Sequence, residues 1–149
     1  PKTRPPVTKA HTLPSPEAAM FTQAGVTLSE LQTYLRQNNL ALVVSRNVTL
    51  RDDADKQQPF NLRVPGGVSS QGAAGKRYDV SFLQFYQANL VRGYGSGSGR
   101  RTLAQPLKSS FNPASAGATG SVVLGKDGSM AAFVPARRAL TWQLTNSAN

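Results

Sequence analysis

Cysteine is absent from this chain. That removes disulfides, thiolate metal sites, cysteine nucleophiles and covalent attachment of c-type haem within it. Histidine is scarce as well: the one residue, His11, has no second His and no nearby carboxylate, whereas metal and acid–base sites draw on several such groups. Acids number seven against seventeen Lys and Arg. With no His-centred triad and no close Glu pair, the expectation is a protein that is not an enzyme, with no catalytic residues and no cofactor of its own. No apolar run approaches the ~18 residues that a membrane-spanning helix needs. The N-terminus, PKTRPPVTKAHTLPSP, has neither an initiator Met nor an apolar leader core, so it reads as a mature product or a fragment.

What is present is positive charge and turn chemistry. The formal charge is +10, with 13 Gly and 10 Pro in 149 residues. A field of that sign points to an anionic neighbour or a polyanion, or to a host whose surfaces are simply basic. The length suits one domain of ordinary size, and the many turn residues favour short strands over long helices.

Five of the prolines fall in residues 1–16, read as an extended Pro-rich arm ordered only by docking. Residues 17–149 then read as a single β-rich domain. Thr27 and Glu30 form a capping-box pattern, and Leu28, Leu31, Tyr34 and Leu35 share one face at helical spacing. They predict a short helix over 27–38 with a core-facing stripe; PEAAMF before it can add a further turn of helix. LALVVSRNVTL, FNLRV and YDVSFLQFYQANLV predict strands. Asn47-Val48-Thr49 matches a glycosylation acceptor, which has meaning only in a eukaryotic secreted protein.

Two segments invite ligand readings. Asp53 and Asp55 alternate like calcium ligands, but the turn glycine and distal Glu of a calcium loop are missing. They are therefore a weak calcium candidate, against a solvated loop whose acids pair with neighbouring cations. GYGSGSGRR lacks the spacing and following helix of a phosphate loop. It reads as a flexible loop with a basic end, whose Tyr94, Arg92, Arg100 and Arg101 could stack on a nucleic-acid backbone. Arg137 and Arg138 join Arg92, Arg100 and Arg101 as the cations expected to meet an anion or a partner.

The C-terminal run SVVLGKDGSMAAFVPARRALTWQL carries the strongest local pattern. Asp127-Gly128 between two alternating apolar runs signals a hairpin. Val122 and Leu124 share a face, as do Met130, Ala132 and Val134. Leu140, Trp142 and Leu144 would complete a three-strand meander, with Trp142, the only tryptophan, as a core anchor. Pro135 must sit at a strand end or edge. The fold class expected is mainly β, an antiparallel β-sandwich-like domain with one short N-terminal helix.

The same run resembles a segment of large secreted bacterial proteins related to the hydrazine synthase alpha subunit. There a DGS-x-x-x-x-VPA-x-x-x-L-x-x-Q-L pattern precedes a short linker and a CxxCH haem-attachment motif. The matching residues are Asp127, Gly128, Ser129, Val134, Pro135, Ala136, Leu140, Gln143 and Leu144. RNVTLRDDADKQQPFNLRVPGG and GRRTLAQPL are similar to the upstream part, so the likeness runs from about Arg46 onward. The family's haem ligands have no counterpart in this chain. The resemblance implies a periplasmic or extracellular scaffold domain that stands beside haem domains and positions them by packing and basic surface. Its partner would be a protein or a neighbouring domain. Two other functions remain open: a polyanion or nucleic-acid binding module, and a subunit of a polymeric or shell assembly, in which the arm would reach a second copy of the chain.

Overall fold

The computed structural model describes residues 13–50, 60–70, 72, 74–88, 104–108 and 110–148. They divide at Asn39 and Leu40 into two compact units. The described part of the first consists of helices α1 (Ser15–Ala24) and α2 (Leu28–Gln37). There are thus two helices where one was expected. Pro16 starts α1 with a preset φ, and Gly25 ends it in the left-handed conformation at φ 65°. The expected capping box opens α2: Glu30 N–H donates to Thr27 Oγ1 at 3.3 Å, and Thr27 N–H donates to Glu30 Oε2 at 2.7 Å. The expected stripe is not a core face. Leu28, Leu31 and Leu35 are only half-buried, Tyr34 is exposed, and neither helix contains a buried residue.

The second unit is built on strands β1 (Leu40–Ser45), β2 (Asn61–Arg63), β3 (Arg77–Asp79), β4 (Phe82–Ala88), β5 (Ala104–Pro106), β6 (Ser121–Val123), β7 (Met130–Pro135) and β8 (Leu140–Thr145). The mainly β expectation therefore holds, and the strands are arranged in open sheets. Antiparallel β1 and β7 make one pair, with Leu40 opposite Pro135. Short β2 and β3 run parallel. In the third sheet β4 is central, with β8 along one edge and β6 and β5 end to end along the other.

Phe85 marks that junction. Its N–H donates to Gly120 O and its carbonyl accepts from Leu107 N–H, both at 2.9 Å, so one residue closes the ends of both β6 and β5. Gly120 is required there. Its φ is +83°, and a Cβ would fall within 2.9 Å of the Phe85 and Leu107 backbones. Phe85 itself is 1% exposed. It packs in a cluster with Leu62, Val64, Val80, Leu83, Leu107, Val122, Leu124, Met130, Ala132 and Val134, drawn from all three sheets.

The Asp127-Gly128 turn forms, but the expected hairpin and meander do not. Gly128 supplies φ +79°, its N–H donates to Gly125 O, and Gly125 N–H donates to Ser129 O, each at 2.8 Å. Beyond the turn the strands part, β6 pairing with β4 and β7 with β1. A turn signal is local, whereas strand partners are chosen by long-range packing. The turn is therefore a corner between sheets, and β8 runs on to pair with β4.

Loop 111–120 completes the unit. Asn112 Nδ2 donates to Phe133 O at 2.8 Å, and Phe133 N–H donates to Asn112 Oδ1 at 2.7 Å. One side-chain amide thus satisfies both backbone groups of Phe133 on the edge of β7 away from β1. The same loop covers one face of β4: Gln84 Nε2 donates to Thr119 O at 2.8 Å, and Gly117 lies so close to the Phe82 ring that a Cβ would approach to 2.8 Å. Asn112→Ala strips a partner from each polar group of Phe133. It should cost about 1–3 kcal/mol in urea unfolding, whereas a loss under about 0.3 kcal/mol would mean that the loop does not brace β7.

Candidate functional site: an aromatic cleft beside an open strand edge

Among the exposed aromatic rings of the β-rich unit, three lie close together: Phe60 at 55%, Tyr78 at 44% and Trp142 at 61%. They line one cleft of about 560 Å³, together with Leu62, Val80 and Leu144, a volume in the range of ligand sites. The order of the strands explains the gathering. Phe60 immediately precedes β2 and Tyr78 lies in its parallel neighbour β3, and their rings meet edge to face at 5.8 Å and 85°. Trp142 comes from β8, where its register partner across the ladder is Phe85.

Cations border the cleft. Lys76 Nζ stands 5.3 Å from the Tyr78 ring centroid, a cation–π contact that sets a positive charge beside one of the cleft's rings. Arg63 and Asp79 face each other across the β2–β3 register in a bidentate pair, Nε to Oδ1 at 2.6 Å and Nη2 to Oδ2 at 2.8 Å. The arginine hydrogen bonds hold the Asp79 carboxyl below the ordinary carboxylate range and push the guanidinium of Arg63 further up. Asp79 is thereby kept ionised and engaged, a poor state for accepting or giving protons near neutral pH. Among the described residues no group of three or more His, Asp or Glu side chains could hold a metal ion. The cleft offers aromatic faces, aliphatic walls and amide and hydroxyl groups, an inventory suited to binding.

Below the sheet, a polar network stiffens β4 and β8. Tyr86 Oη donates to Gln84 Oε1 at 2.8 Å, and Gln143 Nε2 lies 2.9 Å from the same oxygen and 3.0 Å from Tyr86 Oη. A second, polar cleft of about 570 Å³ lies along loop 111–120, including Lys108, Asn112, Ser115 and Thr119. Its groups are largely engaged in holding the fold, as with Ser115 and Ser121, whose hydroxyls are hydrogen-bonded at 2.6 Å.

The chain matches no known family model, curated protein or solved structure. Its own geometry therefore has to carry the functional reading.

The residues singled out from the sequence are distributed unevenly. Arg137 and Arg138 are exposed in the turn between β7 and β8, and Arg137 adopts φ +59°, a left-handed conformation ordinarily left to Gly or Asn. Arg92, Arg100, Arg101, Asp53, Asp55, Tyr94 and His11 lie outside the described residues. Trp142 is not a core anchor. Although Leu140 and Leu144 on the same side of β8 pack against the core, β8 is the outermost strand and the large ring extends over the cleft. Asn47 and Thr49 form a structural turn: the N–H and O–H of Thr49 both donate to Asn47 Oδ1, at 2.9 and 2.8 Å, and Thr49 is 1% exposed.

Sequence reasoning missed Phe60, Tyr78 and Lys76. Alternation puts Phe60 on the side of Leu62 and Tyr78 on the side of Val80, which are both buried, so parity alone names them as core. Phe60 lies just outside β2, and Tyr78 is the middle residue of a β3 only three residues long, all of them exposed, so parity does not tell whether a further layer covers either ring. The usable signal was the basic-aromatic run Lys76-Arg77-Tyr78.

The single tryptophan gives a direct check. Its emission should be that of a water-exposed indole, quenched freely by acrylamide. Trp142→Ala should cost less than about 1 kcal/mol, against the 3–5 kcal/mol usual for truncating a buried aromatic; a blue-shifted, protected emission would put the ring in the core. Acid titration offers a second check. Hydrogen bonds lower the carboxyls of Glu30 (to the Thr27 backbone first), Asp79 (to Arg63) and Asp127 (to the Ser129 side chain). A depressed folded value stabilises above the unfolded one and is lost as pH falls through the folded one. Stability should hold from pH 7 down to about 5 and decline below about 4, and Asp79→Asn should make that decline shallower.

Proposed function

We propose that the chain is a non-catalytic interaction domain that positions a neighbouring protein or domain by packing and by its basic surface. The observation that carries this is the exposed aromatic cleft of Phe60, Tyr78 and Trp142, with cations near it and its single carboxylate locked to Arg63. Exposed rings of this size are unfavourable in water and enriched where proteins bind one another. The +10 charge supports an anionic surface as the counterpart. The likeness of the DGS…VPA…QL run to proteins related to the hydrazine synthase alpha subunit supplies the setting: an exported, periplasmic or extracellular protein associated with redox cofactors. In it this domain would bind and orient, and the neighbour would carry the cofactor.

Two measurements test the reading. Titration with duplex DNA, single-stranded DNA and heparin from about 50 to about 500 mM salt should show binding to all three that disappears together, as exposed charge contacts are screened. Retention of one nucleic acid at high salt would replace the reading with a nucleic-acid module. For the setting, the coding sequence downstream of Asn149 should carry a CxxCH motif; its absence would remove the redox association.

A further inference from the structure

The ladder between β4 and β8 determines which backbone groups of β8 are used. Ala88 N–H donates to Ala139 O at 2.9 Å, which makes Ala88 and Ala139 a hydrogen-bonded pair. The register then places Tyr86 with Thr141 and Gln84 with Gln143 in the same class, while Leu140, Trp142 and Leu144 occupy the alternate positions. In an antiparallel ladder, residues at alternate positions turn their N–H and C=O away from the partner strand. The backbone groups of Leu140, Trp142 and Leu144 therefore point outward, and among the described residues no strand pairs with that edge. The Trp142 ring and the cleft of Phe60 and Tyr78 lie alongside it.

We infer that the outer edge of β8 is a docking site for an extended acidic peptide segment of a partner protein, which adds as a further strand. This rests on the interaction-domain reading and specifies its mode. A strand laid about 4.8 Å beyond β8 satisfies the outward amides and carbonyls and sends every second side chain to the side of Trp142, over the cleft. An apolar side chain there fills the space between Trp142 and Tyr78. The acidic character follows from charge. Arg137 and Arg138 stand exposed at the start of β8 and make no ion pair with a described residue, and Lys76 lies beside Tyr78 on the far wall of the cleft. The left-handed Arg137 strengthens the assignment. A glycine would adopt that conformation without strain, so the backbone does not favour the side chain and binding would account for it.

The test uses fluorescence anisotropy with the full chain and a fluorescein-labelled peptide of about nine residues that alternates Glu with Val. Two further versions are N-methylated on alternate amides, one in each phase. Strand addition expects one phase to bind as the parent does and the other to lose at least about tenfold, because only one phase directs its amides at β8. Trp142→Ala should weaken the parent peptide about tenfold. Arg137→Gly should weaken it while leaving the melting temperature unchanged or higher, a combination that a folding defect cannot produce. Equal binding of both methylated phases would overturn the inference, and so would a peptide affinity unaffected by Trp142→Ala. Competition by oligothymidylate of equal charge at equal potency would overturn it as well, by showing a general anion surface. Each of these results bears on the β8 edge alone; the broader reading stands or falls on the salt series with DNA and heparin.

Discussion

The β-rich unit depends on the two edges of one strand. Strand β4 gives its whole length to β8 on one side and divides the other between β6 and β5, and the division falls at Phe85. Three constraints meet there. The side chain must be buried to join the sheets, the amide must reach Gly120, and the carbonyl must accept from Leu107. Burying an aromatic side chain yields about 2–3 kcal/mol, and leaving either buried backbone group unpaired would cost a similar amount. The positive φ of Gly120 follows from this, since the chain must come within van der Waals contact of two backbones and then turn into β6.

Loop 111–120 shows how an irregular segment can serve as part of a sheet. Asn112 presents one donor and one acceptor in the spacing of a peptide group, so Phe133 of β7 has a partner on the side away from β1 without a second neighbouring strand. Gln84 is used in reverse, as a buried side chain reaching out of β4 to hold the loop by Thr119 O. Neither contact replaces apolar burial as the source of stability. Both remove the penalty that would otherwise fall on buried backbone groups, and so allow a short, glycine-rich loop to cover a sheet face.

What could be read in advance follows the range of each interaction. The Thr27 and Glu30 cap, the αL position at Gly128 and the inward set Met130, Ala132 and Val134 depend on neighbours within a few residues, and all were legible. The pairing of β7 with β1 and of β8 with β4 depends on partners about ninety and sixty residues away in the chain, and the local hairpin pattern pointed elsewhere. The site suffered most. Trp142 looked like core because alternation says which side of a strand a residue occupies, not whether another layer lies over it. Phe60 and Tyr78 failed for the same reason, one just outside β2 and the other within β3.

An exposed strand edge beside three exposed rings is also a hazard, because it can pair with another copy of itself. The charge of the chain bears on this directly. Two copies approaching along β8 each carry a net charge of +10, and that like-charge repulsion opposes their association. An acidic strand meets the opposite situation at the same edge: the charge that keeps copies apart draws it in, and the aromatic walls add contact area once it arrives. The basic composition and the uncovered tryptophan are thus two parts of one device. In the docking mode we infer, the charge would choose the sign of the partner, and the edge and cleft its conformation.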